Sequence, residues 1–290
     1  FITCQLIPLF NTFYNSFFEN YRDGLAQIGP NFVGFDNYIK LFTPNKSGSI
    51  NIVNYACNTM IMWIIGAIPQ LVFSLLLAVI FTSARLNIKG QTFFKTVIYM
   101  PNLVMASAFS MLFFTLFSNV GPINQIILAM TNNTFEFFRN PVSTRCIIAF
   151  INFLMWTGNT TILLMAGIMG IDPALYEASA IDGASAKQQF RWITMPMLKP
   201  IMLYVMITSM IGGLQLFDIP NLIVNRGGTN GVASTVVMDI STRINSSQGD
   251  MGVAGAESVV LFLAAGLIGI FMFRIMQSDE DKEIKARKKA

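Results

Sequence analysis

An all-α integral membrane fold of six transmembrane helices, with both termini in the cytoplasm, follows from three features of this sequence. They are the scarcity of charge, the recurrence of apolar runs of bilayer length, and the uneven placement of the basic residues. Of 290 residues, 53% are hydrophobic and 12% charged, with a mean hydropathy of +0.57. A soluble domain carries roughly a quarter charged residues, so this chain cannot furnish a water-facing surface of ordinary character. About 20 helical residues cross the ~30 Å hydrocarbon layer, and runs of that length recur along the chain.

The runs predict spans at about 1–18, 54–82, 94–118, 144–170, 197–223 and 253–275. The opening run, FITCQLIPLFNTFYNSFF, reads as the later part of a first span whose cytoplasmic start is missing. It shows neither the basic start nor the small-residue cleavage site of a signal peptide. An even number of spans puts both termini on one side. Arg85, Lys89 and Lys95 follow span 2, and Lys187, Arg191 and Lys199 follow span 4. The tail holds Arg274, Lys282, Lys285, Arg287, Lys288 and Lys289. These short segments carry most of the 19 Lys and Arg, which places them in the cytoplasm by the positive-inside rule.

The opposite connections spread Arg22, Lys40, Lys46, Arg139, Arg145, Arg226 and Arg243 over longer loops. Residues 19–53 and 224–252 are rich in Gly, Asn and Ser, with Gly227-Gly228 and Asn230-Gly231 as turn signals. Within 119–143, Ile123 to Met130 is too short to cross and predicts an amphipathic helix on the outer rim. The basic tail lies where anionic lipid would meet it, and nothing else suggests nucleic acid.

Several function classes are excluded early. Histidine is absent, which removes the commonest general base and metal ligand. Cys4, Cys57 and Cys146 lie in or beside apolar runs, without disulfide or metal-ligand spacing. The 18 methionines read as lipid-facing and gap-filling side chains. No Gly-x-x-x-x-Gly-Lys-Ser/Thr phosphate loop occurs. Lys95, Arg145, Asp218 and Glu257 all fall toward span ends. Intramembrane charges mark ion pathways and charged-ligand sites, so their absence from span centres favours uncharged cargo over ion-coupled transport.

One cytoplasmic segment, residues 172–200, carries local signals of its own. Asp172 is an N-cap candidate with Pro173 at the first helical position, and good helix formers run to Ile181. Asp182-Gly183 predicts a turn. A second short helix follows, with Phe190, Trp192 and Ile193 apolar and Lys187, Gln188 and Arg191 polar. Pro196 and Pro200 punctuate the entry to span 5. A hairpin of this size is too small to fold alone, so its apolar face needs cover, from another protein or from the lipid surface.

Amides also occur within spans. Asn102 follows Pro101, and Asn152, Met155, Trp156 and Asn159 share one face of span 4 at i, i+3, i+4, i+7 spacing. Two amides flanking an indole suit a sugar, because amides hydrogen-bond hydroxyls while the indole packs on C–H faces. Hydrogen bonding between helices recruits Asn in membranes equally well.

The hairpin segment resembles the coupling loop of permeases of binding-protein-dependent ABC importers, written EAA, then G, then I-x-LP. The matching residues are Glu177-Ala178-Ser179, Asp182-Gly183-Ala184, Phe190, Ile193, Met195-Pro196 and Pro200, with Ser179 for the second Ala and Met195 for the Leu. FVGFDNYIKLF (32–42), Asn58-Thr59, GPINQIIL (121–128) and the Gly227-Gly228 pair also look similar to that family. The likeness is to its sugar branch, which includes the maltose-type permeases.

The resemblance implies a type I ABC importer permease fold: a first helix and extracytoplasmic loop at 1–53, a core permease domain at 54–276, and a basic tail at 277–290. It implies that Tyr176, Glu177, Ala178, Ser179, Asp182, Gly183, Ala184, Phe190 and Pro196 couple to a separate ATPase. It selects Asn102, Ala106, Asn152, Met155, Trp156, Asn159, Gly213, Leu214 and Phe217 as the substrate-lining face. A neutral di- or oligosaccharide is the implied cargo, moved by alternating access through a multi-pass protein of the bacterial inner membrane. The implied partners are a second homologous permease, two ATPase subunits, an extracytoplasmic sugar-binding protein and membrane lipid. No cofactor is expected on this chain, ATP and Mg belonging to the ATPase subunits, and no bond chemistry. The competing readings are the same machinery serving glycerol phosphate, phosphate or a polyamine, and a secondary carrier or channel with a chance hairpin.

Overall fold

A central helix organises the molecule: α7 (Pro141–Met169), opened by Asn140, whose side chain accepts from the Val142 and Ser143 N–H groups, with Pro141 in the first turn. Such caps satisfy N–H donors that the helix itself cannot pair. The computed structural model describes residues 6–44, 48–83, 89–224 and 231–287, with side chains to 274. Cys4, Lys46, Arg85, Arg226, the Gly227-Gly228 pair, Asn230 and the tail side chains Lys282, Lys285, Arg287, Lys288 and Lys289 lie outside the described residues.

Against α7 pack α3 (Asn51–Thr82), α4 (Gln91–Leu103), α5 (Ala106–Phe117) and α10 (Met195–Leu214). Glycines set the approach distances. A Cβ added at Gly66 of α3 would sit 3.0 Å from the Ala149 carbonyl oxygen. One at Gly158 would overlap the Ile98 carbonyl of α4, and one at Gly167 would overlap the Ile201 and Leu198 side chains of α10. Membrane helices lack a strong hydrophobic drive toward each other and gain contact by close backbone approach. Polar bonds add to the α3–α7 seam: Gln70 Nε2 donates to Thr160 Oγ1 at 2.8 Å and Ser74 Oγ to the Thr157 carbonyl at 3.1 Å.

Among the described residues, five stretches are long and apolar enough to cross a membrane: Asn51–Thr82, Ala106–Thr131, Pro141–Met169, Ala186–Val224 and Met251–Arg274. The predicted first span is represented among the described residues by α1 (Ile7–Asn15), after which Phe18 is already in a strand.

Several sequence expectations are corrected. The fold is not purely helical: β1 (Phe18–Asp23) and β2 (Ala26–Phe32) form an antiparallel hairpin where the sequence suggested a loop. Gly24 turns it at φ +60°, and Gly29 leaves room for the Glu19 carbonyl, which a Cβ would overlap. α2 (Asp36–Phe42) follows, held by buried Asn37, whose Nδ2 donates to the Ser16 and Phe18 carbonyls at 3.0 Å each. The expected loop 224–252 contains α12 (Val236–Asn245), capped by Thr235. The short helix expected within 119–143 is α6 (Pro122–Thr131), pinned by buried Asn124 to Ser118 and Phe135.

Span 3, expected unbroken over 94–118, is split between α4 and α5 at Val104–Met105. Pro101 removes one helical donor just before the break. Span 5 is split as well, between α10 and α11 (Asp218–Val224). At its N-terminal end the reverse holds. The second hairpin helix, α9 (Ala186–Gln189), runs through a π-turn at Phe190–Thr194 straight into α10, so Pro196 and Pro200 lie within continuous helix. The π-turn's wider i→i−5 bond, Met195 N–H to the Phe190 carbonyl, accommodates the proline that follows. The last helix is α13 (Met251–Arg287).

Candidate functional site

Helix α7 is buried on most sides, but Asn152, Trp156 and Asn159 fall on a less covered stripe, continued by Leu163 and Ala166, in which Trp156 and Ala166 are exposed and the other three half-buried. Trp156 is 47% exposed, while Met155, one position away on the helix, is 8% exposed and belongs to the core. Among the described residues, the Asn152 and Asn159 side chains make no hydrogen bond. Asn102 differs: its Nδ2 donates to the Met155 carbonyl at 3.1 Å. The three amides therefore separate into one that ties α4 to α7 and two that are free to meet a ligand.

Two helix breaks stand beside this face. Chain breaks inside a membrane helix leave backbone groups without intrahelical partners, and they persist only where protein buries them or they line a cavity. Asn102 and Ala106 flank the Val104–Met105 break, and Gly213, Leu214 and Phe217 flank the one between α10 and α11. α11 packs on α5 and α7, which draws the two breaks together: Met155, Leu216 and Ile219 share one apolar cluster, with Ala106 packed against it. Leu214 is buried, and Gly213 lies under the Trp63 ring, which a Cβ would overlap. Trp63, bonded through Nε1 to Ser209 Oγ at 3.2 Å, was missed by sequence reasoning. A lone Trp in an apolar run gives no periodic signal.

Polar groups tie the start of α7 to α3 and to the segment that precedes α12. Arg145 donates to Asn58 Oδ1 at 2.7 Å and to the Val232 carbonyl at 3.1 Å, while Asn58 Nδ2 donates to the Gly231 and Ser234 carbonyls. Nearby, Arg243 Nε contacts Asp239 at 2.7 Å and the fully buried Glu257 at 3.2 Å. Burial opposes the charge on Arg243, but the Asp239 and Glu257 carboxylates outweigh it and raise its pKa above the usual arginine value.

At the other end stands the hairpin. α8 (Pro173–Ile181) is capped by Asp172, which accepts from the Ala174 N–H at 2.9 Å. Gly183 turns the chain at φ +79°, and a Cβ added there would meet nothing within 4 Å. Ser185 and Gln188 form a reciprocal capping box on α9. Glu177, Ala178, Asp182 and Pro196 are exposed; Tyr176, Ser179, Ala184 and Phe190 are partly covered. Ile181 and Trp192 remain largely exposed, an apolar surface that needs a partner. No group of three or more metal-ligating side chains occurs among the described residues.

Comparison with known proteins decides the family. The profile described as binding-protein-dependent transport system inner membrane component matches residues 56–279. The chain belongs to this family. The permease is 30% identical over 219 residues to the lactose transport system permease protein LacF of Rhizobium radiobacter, covering 74% of this chain and 73% of that one. It is 26% identical to the trehalose/maltose transport system permease protein MalF of Thermococcus litoralis, covering 89% and 83%. Its fold matches a bacterial ABC transporter involved in the import of the acidic polysaccharide alginate, with a TM-score of 0.78 at 20% identity over 96% of this chain and 91% of that one. The permease thus has the type I ABC importer permease fold.

Proposed function

We propose that this permease translocates a neutral di- or oligosaccharide by alternating access, driven by ATP hydrolysed on separate subunits. The observation that carries the cargo reading is the less covered α7 stripe. Its two free amides flank an exposed indole beside two helix breaks, with no charged side chain at Asn102, Ala106, Asn152, Met155, Trp156, Asn159, Gly213, Leu214 or Phe217. Trp63 is added to that set. The relatives named for lactose and for trehalose/maltose support a sugar.

In this reading the chain crosses the inner membrane six times, α1 forming the later part of the first crossing, with both termini cytoplasmic. Residues 54–276 form the core permease domain, 1–53 the entry unit and 277–290 a basic tail. The hairpin docks in a groove on an ATPase subunit through Tyr176, Glu177, Ala178, Ser179, Asp182, Gly183, Ala184, Phe190 and Pro196. A second permease, two ATPases that hold ATP and Mg, and an extracytoplasmic sugar-binding protein complete the machine. A structural neighbour solved with an alginate pentasaccharide-bound periplasmic protein supports that last partner. ATP-driven closure moves the hairpins and switches the spans between discrete packings.

The test is solute-stimulated ATPase activity and uptake by the reconstituted complex against a panel of neutral and acidic saccharides. Stimulation by a neutral sugar, reduced about tenfold by Trp156→Ala or Asn152→Leu as binding contacts are lost, is the expected result. Stimulation by acidic sugars alone would overturn the cargo reading.

A further inference from the structure

The hairpin meets the transmembrane helices in two very different ways. On one side a cavity of about 540 Å3 separates it from the cytoplasmic ends of α3 and α7, with Val79, Thr82 and Ile168 on one wall and Tyr176, Glu177 and Phe190 on the other. α8 faces α3 across this cavity and joins α7 through the short connection 170–172. On the other side the link is polar and continuous. The Tyr176 hydroxyl and Thr194 Oγ1 are hydrogen-bonded at 2.9 Å. Gln189 Nε2 donates to the Tyr176 carbonyl at 3.1 Å and to Ser179 Oγ at 2.9 Å, and Ser179 Oγ donates back to the Tyr176 carbonyl at 2.9 Å.

The placement of these bonds matters. Gln189 is the last residue of α9 and Thr194, which is buried, the last of the π-turn. They bracket the one stretch where the hairpin becomes α10. The backbone is weakest there: the ladder is widened by the π-turn, and Pro196 and Pro200 each lack the N–H that a helix interior uses. A joint short of backbone bonds bends unless something else holds it. Here two side chains do so, both tied to Tyr176 on α8.

We propose that Gln189 and Thr194 are positioning residues that, through Tyr176, lock α8, α9 and α10 into one lever. Displacement of the hairpin then reaches Gly213, Leu214 and Phe217 at the far end of α10. This rests on the coupling-loop reading and extends it to two positions that lie between the motif's signature residues. Without the brace the π-turn absorbs the motion, and hydrolysis continues without matching transport.

The experiment uses the full complex in liposomes with the Thr194→Val, Gln189→Met and double variants. Three quantities are read: ATPase captured, receptor-independent hydrolysis, and sugar transported per ATP. Capture and receptor-independent hydrolysis are expected to stay within about twofold of wild type, while sugar per ATP falls about tenfold in the double variant, the scale of one or two lost hydrogen bonds. Thr194→Ser, which keeps the hydroxyl, is expected to restore it. An unchanged transport ratio in the double variant overturns the proposal. So does loss of ATPase capture, which would assign the residues to docking, or a Thr194→Ser variant as impaired as Thr194→Val, which would assign the loss to packing. A wild-type chain that captures no ATPase at all overturns the coupling-loop reading, and the lever with it.

Discussion

The hairpin at 172–200 and the body of α7 are neighbours in sequence but are held by opposite means. α7 is held by missing side chains: Gly66 and Gly158 let backbones touch at the α3 and α4 crossings, and Gly167 admits the side chains of α10. The hairpin is held by side chains it does carry, through Asp172, Ser185, Gln188, Tyr176, Gln189 and Thr194. Close packing leaves few alternative arrangements, because a dense core is bistable at most and does not deform continuously. A hydrogen-bonded brace beside a cavity has more freedom. The comparison assigns stability to one region and transmission to the other.

The comparison breaks most sharply at a glycine. Gly158→Ala drives a methyl into the Ile98 carbonyl and the Tyr99 backbone, so a loss of about 3 kcal/mol is expected. Thermal unfolding in detergent should show a large drop for it and none for Gly212→Ala, whose added methyl meets nothing within 4 Å. A shift of the same size in both would undo the distinction.

Gly183→Ala tests the other region. Its φ of +79° lies in open space, so the substitution strains the turn by about 1 kcal/mol without touching the core. The expected outcome is a melting temperature lowered by no more than about 2 °C, with impaired coupling of ATP hydrolysis to uptake and an unaltered sugar affinity of the receptor.

The smallest effect separates the amides. Asn102→Leu removes the bond to the Met155 carbonyl and should lower stability by about 0.6 kcal/mol, the usual scale for an interhelical bond in membranes. Asn152→Leu and Asn159→Leu remove no such bond and should leave stability unchanged while reducing uptake. Equal destabilisation by all three would reassign the α7 stripe to packing.

Much of this was legible in the sequence because it rests on local or one-dimensional signals. Apolar runs located α3, α7 and the start of α13 to within a few residues. Asp172-Pro173 and Asp182-Gly183 marked the hairpin, since caps and turns are chemistry of adjacent residues. The spacing placed Asn152, Trp156 and Asn159 on one face, but it put Met155 there too, and the core takes Met155. What stayed hidden involved partners far apart. The Asn102–Met155 bond spans 53 positions and the Trp63–Ser209 bond 146. The strand Phe18–Asp23 has few residues of its own to announce it and exists because Ala26–Phe32 returns beside it.

The sequence by itself determined that this chain lives in a membrane, roughly where its long apolar helices lie, and which segment is built to turn at Gly183. Hydropathy and turn preference are properties of short stretches, so one chain suffices to express them. The tertiary structure decided which amide is spent on packing and which are free. It also decided where spans 3 and 5 break and how Gln189 and Thr194 splice the hairpin to α10. Those outcomes depend on which backbone atoms a distant helix brings within hydrogen-bond reach, and no local pattern encodes that distance.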